Sequence, residues 1–265
     1  MKGKLPAQSS TNLDKTYYFF KYKDINKYGK EEIRENKIYF STHDQLNDLF
    51  EMKSVRRKKE TRNWKNSSFK TLEALIEENL NQLEKEALNT GIYSLSRSSK
   101  NQVLWSQYAN NHKGVCIIYT IDRFNAHNYL WKVNYSKARP EFEVFKKTGA
   151  NSYAIIQHPH RHKEGYILKS MTTKHTDWSH EREFRIMNIR GRIKSDISIF
   201  GLKKTAIIIG CNINEDDKKW IFDNKPIHCC IYQSSICLKS GNLKFKKILS
   251  GIKQKPILKR KNLLA

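Results

Sequence analysis

Carboxylates, guanidiniums, an ammonium group and an indole are concentrated between Thr173 and Ile186. The end of this segment alternates polar and apolar residues, which predicts a half-buried β-strand over Glu183–Met187. Side chains alternate between the two faces of a strand, so Glu181, Glu183 and Arg185 are expected on one face, opposite an apolar row. A Glu beside an Arg stays ionised and can hydrogen-bond a ligand hydroxyl or stabilise a cation. A solvated strand with ordinary ion pairs fits the same pattern.

The residues also allow two metal-dependent alternatives. A magnesium-dependent nuclease needs clustered carboxylates, and the two glutamates with Lys174 could share such a centre with acidic residues upstream, although no spacing requires it. Three histidines in "HPHRH" have the chemistry of metal ligands, but no nearby Cys or carboxylate completes a set, which favours a surface loop. The upstream acids are Asp44, Asp48 and Glu51, and the histidines are His158, His160 and His162.

The composition predicts a globular protein of the reducing cytoplasm. Of the 265 residues 38% are hydrophobic, which is enough to form a core. The sequence contains no apolar run of the length that spans a membrane. The five cysteines have no metal spacing, so buried thiols are expected. We expect a flexible leader over residues 1–16, a single α+β domain over residues 17–250 and a basic tail over residues 251–265.

The net charge of +24 is larger than solubility requires. Such a field attracts polyanions and predicts salt-dependent binding of nucleic acid, DNA or RNA. A basic run near the start of the chain is the first candidate for this contact. An acidic protein partner would satisfy the same field, and a bias towards Lys, Asn and Ile would produce it without any partner. The basic run consists of Arg56, Arg57, Lys58 and Lys59.

Hydrophobic periodicity predicts an alternation of helices and strands. An aromatic strand over Tyr17–Tyr22 is followed by a short helix, with Asp24 as its expected cap, and by a strand over Lys37–Ser41. Apolar residues from Leu72 to Leu88 recur at helical spacing. Pro140 suits the first turn of a helix. Further expected elements are a helix over Asn101–Asn110, strands over Val115–Thr120 and Tyr129–Tyr135, a helix over Glu141–Lys147, a strand over Thr205–Cys211, a helix over Glu215–Phe222 and a strand over His228–Gln233.

Several phrases of the sequence resemble the bacterial domain-of-unknown-function family 2971. That family has an early Lys-Tyr pair, a phrase close to "FNDPFE", then "lWshYa.nhkGv" and finally "tKs..WsyE.EwR". Here these correspond to Lys21-Tyr22, "LNDLFE", "LWSQYANNHKGVCI" and "TKHTDWSHEREFRI", in the same order. The departures replace aromatic or Pro positions, including His180 and Phe184 in the last phrase, and remove no ionisable residue.

A more distant resemblance suggests a reaction. The order of elements is similar to that of ADP-ribosyltransferase toxins that modify nucleic-acid bases, whose catalytic sheet ends with a Glu in a phrase like "REFRI". This resemblance implies a mixed or split antiparallel sheet with flanking helices and NAD as a substrate. It also implies a catalytic role for Glu183, with Glu181 forming an E-x-E pair. The implied nicotinamide slot and diphosphate contacts would come from Lys21, Tyr22, Tyr39, Trp105, Tyr108, Lys174, Trp178 and Arg185.

The expected function is therefore NAD-dependent ADP-ribosylation of nucleic acid by a bacterial toxin or anti-phage defence effector, with an antitoxin or inhibitor protein as a possible partner. No glycine-rich dinucleotide fingerprint or P-loop occurs in the sequence, so a Rossmann site is not expected to bind NAD. Trp105 and Tyr108 at helical spacing fit a core as well as a ligand platform. The main alternative is a non-catalytic nucleic-acid-binding module in which the glutamates only order neighbouring arginines.

Overall fold

The computed structural model describes residues 16–48, 56–57, 67–138, 141–142, 145–147, 153–155, 163–188 and 190–249. The predicted leader, apart from Thr16, and the predicted basic tail lie outside these residues. So do Glu51, Lys58, Lys59 and the three histidines of "HPHRH".

Six α-helices occur in the described part of the chain. None of them is long and apolar enough to cross a membrane. Three short 3₁₀ helices also occur, at His43–Gln45, Thr176–Glu181 and Ile197–Phe200. The α-helices are α1 (Lys27–Arg34), α2 (Ser67–Asn89), α3 (Gln102–Tyr108), α4 (Arg123–Tyr129), α5 (Lys163–Thr172) and α6 (Glu215–Asn224).

Sixteen β-strands are described, and most of them are short. The strands are β1 (Thr16–Lys23), β2 (Lys37–Tyr39), β3 (Arg56–Arg57), β4 (Gly91–Ser96), β5 (Val115–Asp122), β6 (Trp131–Lys132), β7 (Asn134–Ser136), β8 (Glu141–Phe142), β9 (Phe145–Lys147), β10 (Tyr153–Ile155), β11 (Thr173–His175), β12 (Glu183–Asn188), β13 (Lys194–Asp196), β14 (Lys203–Ile209), β15 (Cys230–Ile236) and β16 (Leu243–Leu249).

These elements form two compact units, each assembled from separate stretches of sequence. The first unit contains Lys37–Ser98 and Ile121–Gly201, and the second contains Tyr18–Asn36, Ser99–Thr120 and the chain from Leu202 onward. In the first unit β12 pairs antiparallel with β4 on one side and with β6 on the other. Short two-stranded ladders accompany these strands, including a parallel pair of β11 with β7.

The second unit contains a mixed sheet. Its strands follow the order β16, β15, β14, β5 and β1. β14 and β15 are parallel neighbours joined through α6, whereas β14 pairs antiparallel with β5 and β15 pairs antiparallel with β16. A parallel pair needs such a crossover connection, and α6 supplies it. The mixed α/β architecture agrees with the fold expected at the level of class.

β12 is buried on both faces, which corrects the prediction of a half-buried strand. Phe184 and Ile186 are buried, and so are Glu183 and Arg185 on the opposite face. Alternation of polar and apolar residues indicated the strand, but it cannot distinguish solvent from a buried ionic layer behind it. Glu181 does not belong to this strand either, because it ends a 3₁₀ helix.

Two local predictions were wrong, and one helix was not predicted. α1 is capped by Asn26, whose side-chain oxygen accepts from the backbone of Gly29 at 3.0 Å, whereas Asp24 accepts from its neighbour Ile25. Residues 141–142 and 145–147 form strands rather than the expected helix, because each pairs with a strand elsewhere in the chain. Residues 123–129 form α4. This helix has only seven residues, and its apolar residues do not recur at helical spacing, so the sequence did not indicate it.

Candidate active site

Four charged side chains form a buried cluster in the first unit. Lys174, Glu181, Glu183 and Arg185 are each at most 6% exposed. The Lys174 ammonium lies 2.7 Å from Oε2 of Glu181 and 3.4 Å from Oε2 of Glu183. Arg185 donates from Nε to Oε1 of Glu183 at 2.8 Å and from Nη2 to Oε2 at 3.0 Å. Glu183 is therefore held bidentately by a guanidinium, the geometry that most restricts a carboxylate.

Local backbone geometry explains how these residues meet. Glu183 and Arg185 are two positions apart on β12 and so share a face. Between β11 and β12 the 3₁₀ helix Thr176–Glu181 turns the chain back, and Arg182 follows it in a left-handed conformation with φ 47°. The hydroxyl of Ser96 on β4 donates to the backbone oxygen of Glu181 at 2.7 Å, which fixes this turn against the sheet.

Two aromatic side chains line the cluster. The Trp178 ring lies 4.7 Å from the Lys174 ammonium, a cation–π contact that places the indole over the ion pairs. The Tyr135 hydroxyl accepts from the backbone N–H of Glu183 at 2.9 Å. Tyr135 also stands opposite Lys174 in the parallel β7–β11 ladder. No sequence pattern pointed to Tyr135, because a short parallel pairing between distant segments leaves no local signal.

The cluster contains two positive and two negative side chains, so its net charge is zero. Burial lowers the pKa of the Arg185 guanidinium to about 9, and the negative charge of Asp48 opposes this shift. The guanidinium is consequently still charged at neutral pH. Burial is also the main cause that raises the pKa of the Tyr135 hydroxyl well above its ordinary value. Tyr135 therefore keeps its proton and is available as a hydrogen-bond donor.

The other expected ligands of NAD belong to several different elements. Tyr39 is on β2, where its hydroxyl donates to Gln45 at 3.2 Å. Lys21, Tyr22, Trp105 and Tyr108 all belong to the second unit.

Trp105 and Tyr22 form part of the core of the second unit. Trp105 is fully buried, and its Nε1 donates to the backbone oxygen of Ser99 at 2.9 Å. The Tyr22 ring meets it edge-on at 5.3 Å, and Tyr108 packs partly buried against the same cluster. Burial raises the pKa of Tyr22 above its ordinary value. Trp105 is therefore a core residue with Tyr108 packed against it, which is the first of the two interpretations that their helical spacing left open.

The upstream carboxylates considered for a nuclease differ in burial, and the charge of Asp48 acts on Arg185 of the cluster. Asp44 is exposed and pairs with Arg192, whereas Asp48 is buried. Within the described ranges, no group of three or more His, Cys, Asp or Glu side chains is placed to hold a metal ion. Of the predicted basic run, Arg56 and Arg57 form β3.

The fold and the cluster define a mixed α/β protein with a buried, paired carboxylate site. A family model described as "Protein of unknown function (DUF2971)" matches residues 104–186, which supports the relationship to that family. The match runs from α3 to β12 and includes all four charged residues of the cluster, with Trp178 and Tyr135. A search of curated proteins found no match, and a search of solved structures found none either.

Proposed function

We propose that this chain is an NAD-dependent ADP-ribosyltransferase that modifies nucleic acid, with Glu183 as the catalytic carboxylate and Glu181 beside it. The observation that supports this most directly is the burial of Glu183 between Arg185 and Lys174. Burying charges requires desolvation that ion pairing only partly offsets, and such groups concentrate at functional sites. The related family shares these ionisable positions in its last phrase.

The proposed chemistry needs a fixed negative charge. Breaking the bond between nicotinamide and ribose sends the bonding electron pair to the nicotinamide nitrogen and leaves a positive ribosyl centre. A carboxylate that hydrogen-bonds a ribose hydroxyl and faces this centre lowers the energy of the transition state. A nucleophilic atom of the acceptor base then attacks the ribosyl carbon and loses a proton. Arg185 restricts the Glu183 carboxylate, so little reorganisation is needed during the reaction.

The neighbouring groups have distinct proposed roles. Lys174 is closer to Glu181 than to Glu183, so Glu181 holds the ammonium while Arg185 holds the catalytic carboxylate. The Trp178 indole lies against the Lys174 ammonium and would stack on nicotinamide. The protonated Tyr135 hydroxyl would donate to the bound substrate, since its oxygen already accepts from the Glu183 backbone.

The proposed acceptor is nucleic acid because of the charge of the whole chain. A net charge of +24 attracts a polyanion and repels a cationic target. We further propose that modification of a cell's own DNA or RNA arrests growth. The chain would then act as a toxin or an anti-phage effector in the cytoplasm, and an antitoxin or inhibitor protein would restrain it.

Incubation with NAD labelled in its adenylate phosphate, together with separate DNA, RNA and protein pools, tests the proposal. The expected result is label on a nucleic-acid pool. Glu183→Asp keeps the charge next to Arg185 but withdraws the carboxylate by one methylene, and we expect it to reduce transfer roughly a hundredfold. Glu183→Gln should abolish transfer. The exposed Glu78 on α2 offers the matched control Glu78→Gln, which should transfer label as the wild type does.

Folding must be checked because a buried pair is altered. Near-ultraviolet circular dichroism and the urea midpoint of each variant show whether loss of transfer reflects loss of structure. Equal transfer by the wild type and by a folded Glu183→Asp would contradict the assignment of Glu183. Wild-type protein that labels no pool would contradict the enzymatic proposal as a whole. Magnesium-dependent strand cleavage without NAD would favour the nuclease instead.

A second candidate is a non-catalytic nucleic-acid-binding module. The observation that favours it is the occupation of both Glu183 oxygens by Arg185, as in a purely structural ion pair. In that case Glu183→Asp would lower stability without changing nucleic-acid affinity. Salt-sensitive binding of polynucleotide with no consumption of NAD would distinguish the module from the enzyme.

A further inference from the structure

The hairpin of β15 and β16, here called the basic ribbon (Cys230–Leu249), carries uncompensated positive charge. From Asn224 to Ala265 the sequence contains no Asp and no Glu. In the antiparallel register Ser235 stands opposite Lys244. Lys246 stands opposite Gln233, and both lysines are exposed. Paired residues of two antiparallel strands point to the same face, so these lysines flank the end of β15.

Two of the acidic residues of α6, the helix that precedes the basic ribbon, have lysine partners of their own. At the start of α6, Asp217 pairs with Lys30 at 3.0 Å and Glu215 pairs with Lys218 at 3.3 Å. Their negative charge is therefore largely offset locally. The field at the basic ribbon remains positive, which suits contact with phosphates.

A cleft of about 540 Å³ opens beside these lysines, at the carboxyl ends of the parallel strands β14 and β15. Ligand pockets commonly measure roughly 300–1,000 Å³ and occur at this edge of open α/β sheets. Residues of the loop after β14, the first turn of α6 and the end of β15 line the cleft. The residues used below are Asn212, Ile213, Gln233, Ser235 and Ile236.

The lining of the cleft offers hydrogen-bond acceptors between apolar walls. Gln233 donates from Nε2 to the backbone oxygen of Gly210 at 3.0 Å. Asn212 donates from Nδ2 to the backbone oxygen of Asn111 at 3.2 Å. A side-chain amide that donates through its nitrogen can also accept through its oxygen. Acceptors of this kind match the amino groups on the edge of a nucleobase, and Ile213 and Ile236 provide apolar contact for its faces.

We propose that the basic ribbon and this cleft bind single-stranded nucleic acid, with phosphates at Lys244 and Lys246 and one unpaired base in the cleft. The inference takes from the proposed function only that nucleic acid is the partner, and it requires no reaction with NAD. A base stacked and paired in a duplex cannot enter the cleft, so single strands bind more tightly than duplexes. Lysines on an edge strand also prevent unwanted strand pairing, but that role needs no cleft.

Fluorescence anisotropy without NAD tests the lysines. A labelled single-stranded oligonucleotide is titrated with the wild type and with Lys244→Gln/Lys246→Gln over a series of salt concentrations. Each lost phosphate contact lowers the salt slope by about 0.7 on single strands, so a fall of about 1.4 is expected. The control Lys85→Gln/Lys219→Gln removes the same charge from exposed lysines on acid-rich helices and should leave the slope unchanged. Equal slopes for the two double variants would overturn the proposal.

A second pair of variants tests the cleft. Ser235→Tyr places a bulky side chain at its wall, and Ser240→Tyr places the same side chain in the turn of the hairpin, outside the cleft. We expect Ser235→Tyr to bind single strand and duplex equally well, whereas Ser240→Tyr keeps the wild-type preference. A wild type without preference for single strands, or a Ser235→Tyr variant that retains it, would overturn the proposal.

The two proposals fail separately. Preferential binding of single strands with no label transfer from NAD refutes the enzyme and supports the cleft. Label transfer by a protein that prefers duplexes refutes the cleft and supports the enzyme. The Glu78→Gln variant should bind single strands with wild-type affinity, since Glu78 is exposed on α2 and belongs neither to the buried cluster nor to the basic ribbon.

Discussion

Arg185 is the side chain on which the buried cluster most depends. It is fully buried and donates to both oxygens of Glu183 and to the backbone oxygen of Met171. Arg185→Met would leave a carboxylate and a carbonyl without these donors. Removing one partner of a buried ion pair costs about 3–5 kcal/mol. We expect a loss of this size in the free energy of unfolding, measured by urea denaturation at neutral pH.

Arg192 provides the control for this prediction. It pairs with Asp44 through exposed side chains, where water and salt weaken the interaction. Arg192→Met should therefore leave the urea midpoint unchanged within error. If both arginine variants shifted the midpoint equally, the cluster would not contribute more than a surface pair.

The lowered pKa of His112 is expected to make the stability of the protein depend on pH. The His112 ring stacks on Trp105 at 5.8 Å, and burial lowers its pKa below the ordinary value. Between its ordinary pKa of about 6.5 and the lower folded value, the unfolded chain binds a proton that the native protein excludes. Stability therefore falls as the pH drops through this window. We expect the urea midpoint of the wild type to fall between about pH 7.5 and about pH 5.5.

Two asparagine substitutions isolate this effect. His112→Asn removes the titrating group and suits the left-handed backbone there, where φ is 65°. The exposed His127 offers the control His127→Asn. The midpoint of His112→Asn should fall less on acidification than that of the control. An equal fall in both variants would show that other groups dominate the pH dependence.

The ionisable residues of the cluster were predictable, but their environment was not. Types and spacing between Thr173 and Ile186 pointed to Lys174, Glu181, Glu183 and Arg185. Burial of Glu183 and Arg185 depends on elements that cover the polar face of β12, and these come from distant segments. The contact of Tyr135 with the Glu183 backbone arises from such a pairing and could not be read from local pattern.

Within the second unit, Lys204 stabilises the end of α1. Its ammonium donates to three backbone oxygens, those of Glu32, of Ile33 (2.9 Å) and of Glu35 (2.8 Å). The end of the helix leaves these carbonyls without a partner within the helix. Lys204→Met should destabilise the protein by about 3 kcal/mol, because a hydrogen bond to a charged group contributes roughly 1.5–3 kcal/mol and several carbonyls lose their donor together. Thermal or urea unfolding measures the change.

The neighbouring Lys203 is a matched control on the same strand. Lys203 is exposed and Lys204 is 1% exposed, although both belong to β14. Lys203→Met should therefore change stability little. A comparable loss in both variants would contradict the proposed stabilisation of α1 by Lys204.

Lys203 and Lys204 show what the sequence could and could not predict about β14. The apolar run after Lys204 predicted the strand, and helical periodicity predicted α2 and α6. The pattern could not tell which of the two lysines is buried, because the carbonyls that Lys204 contacts are at the end of α1, in a distant segment of the chain. Residues 141–147 were predicted as a helix, yet their strands are specified by partners at β3 and β10, which local propensity does not contain.

Across the whole molecule, positive charge is unevenly balanced. Helices such as α6 place acids beside their lysines, whereas the chain after Asp223 has none. A polyanion responds to the local field within a Debye length of about 10 Å at 0.1 M salt rather than to the total charge. The end of the chain should therefore contribute more to binding than its share of the +24 suggests.

Deletion of residues 251–265 tests this distribution. The deleted segment contains Lys253, Lys255, Lys259, Arg260 and Lys261, so the net charge falls by five, from +24 to +19. We expect weaker binding of single-stranded and duplex oligonucleotides at low salt, with a shallower salt slope for both, in anisotropy titrations. The preference for single strands should survive, because phosphate contacts carry no information about base pairing while the cleft remains. Loss of that preference on deletion would assign the discrimination to the tail instead of the cleft.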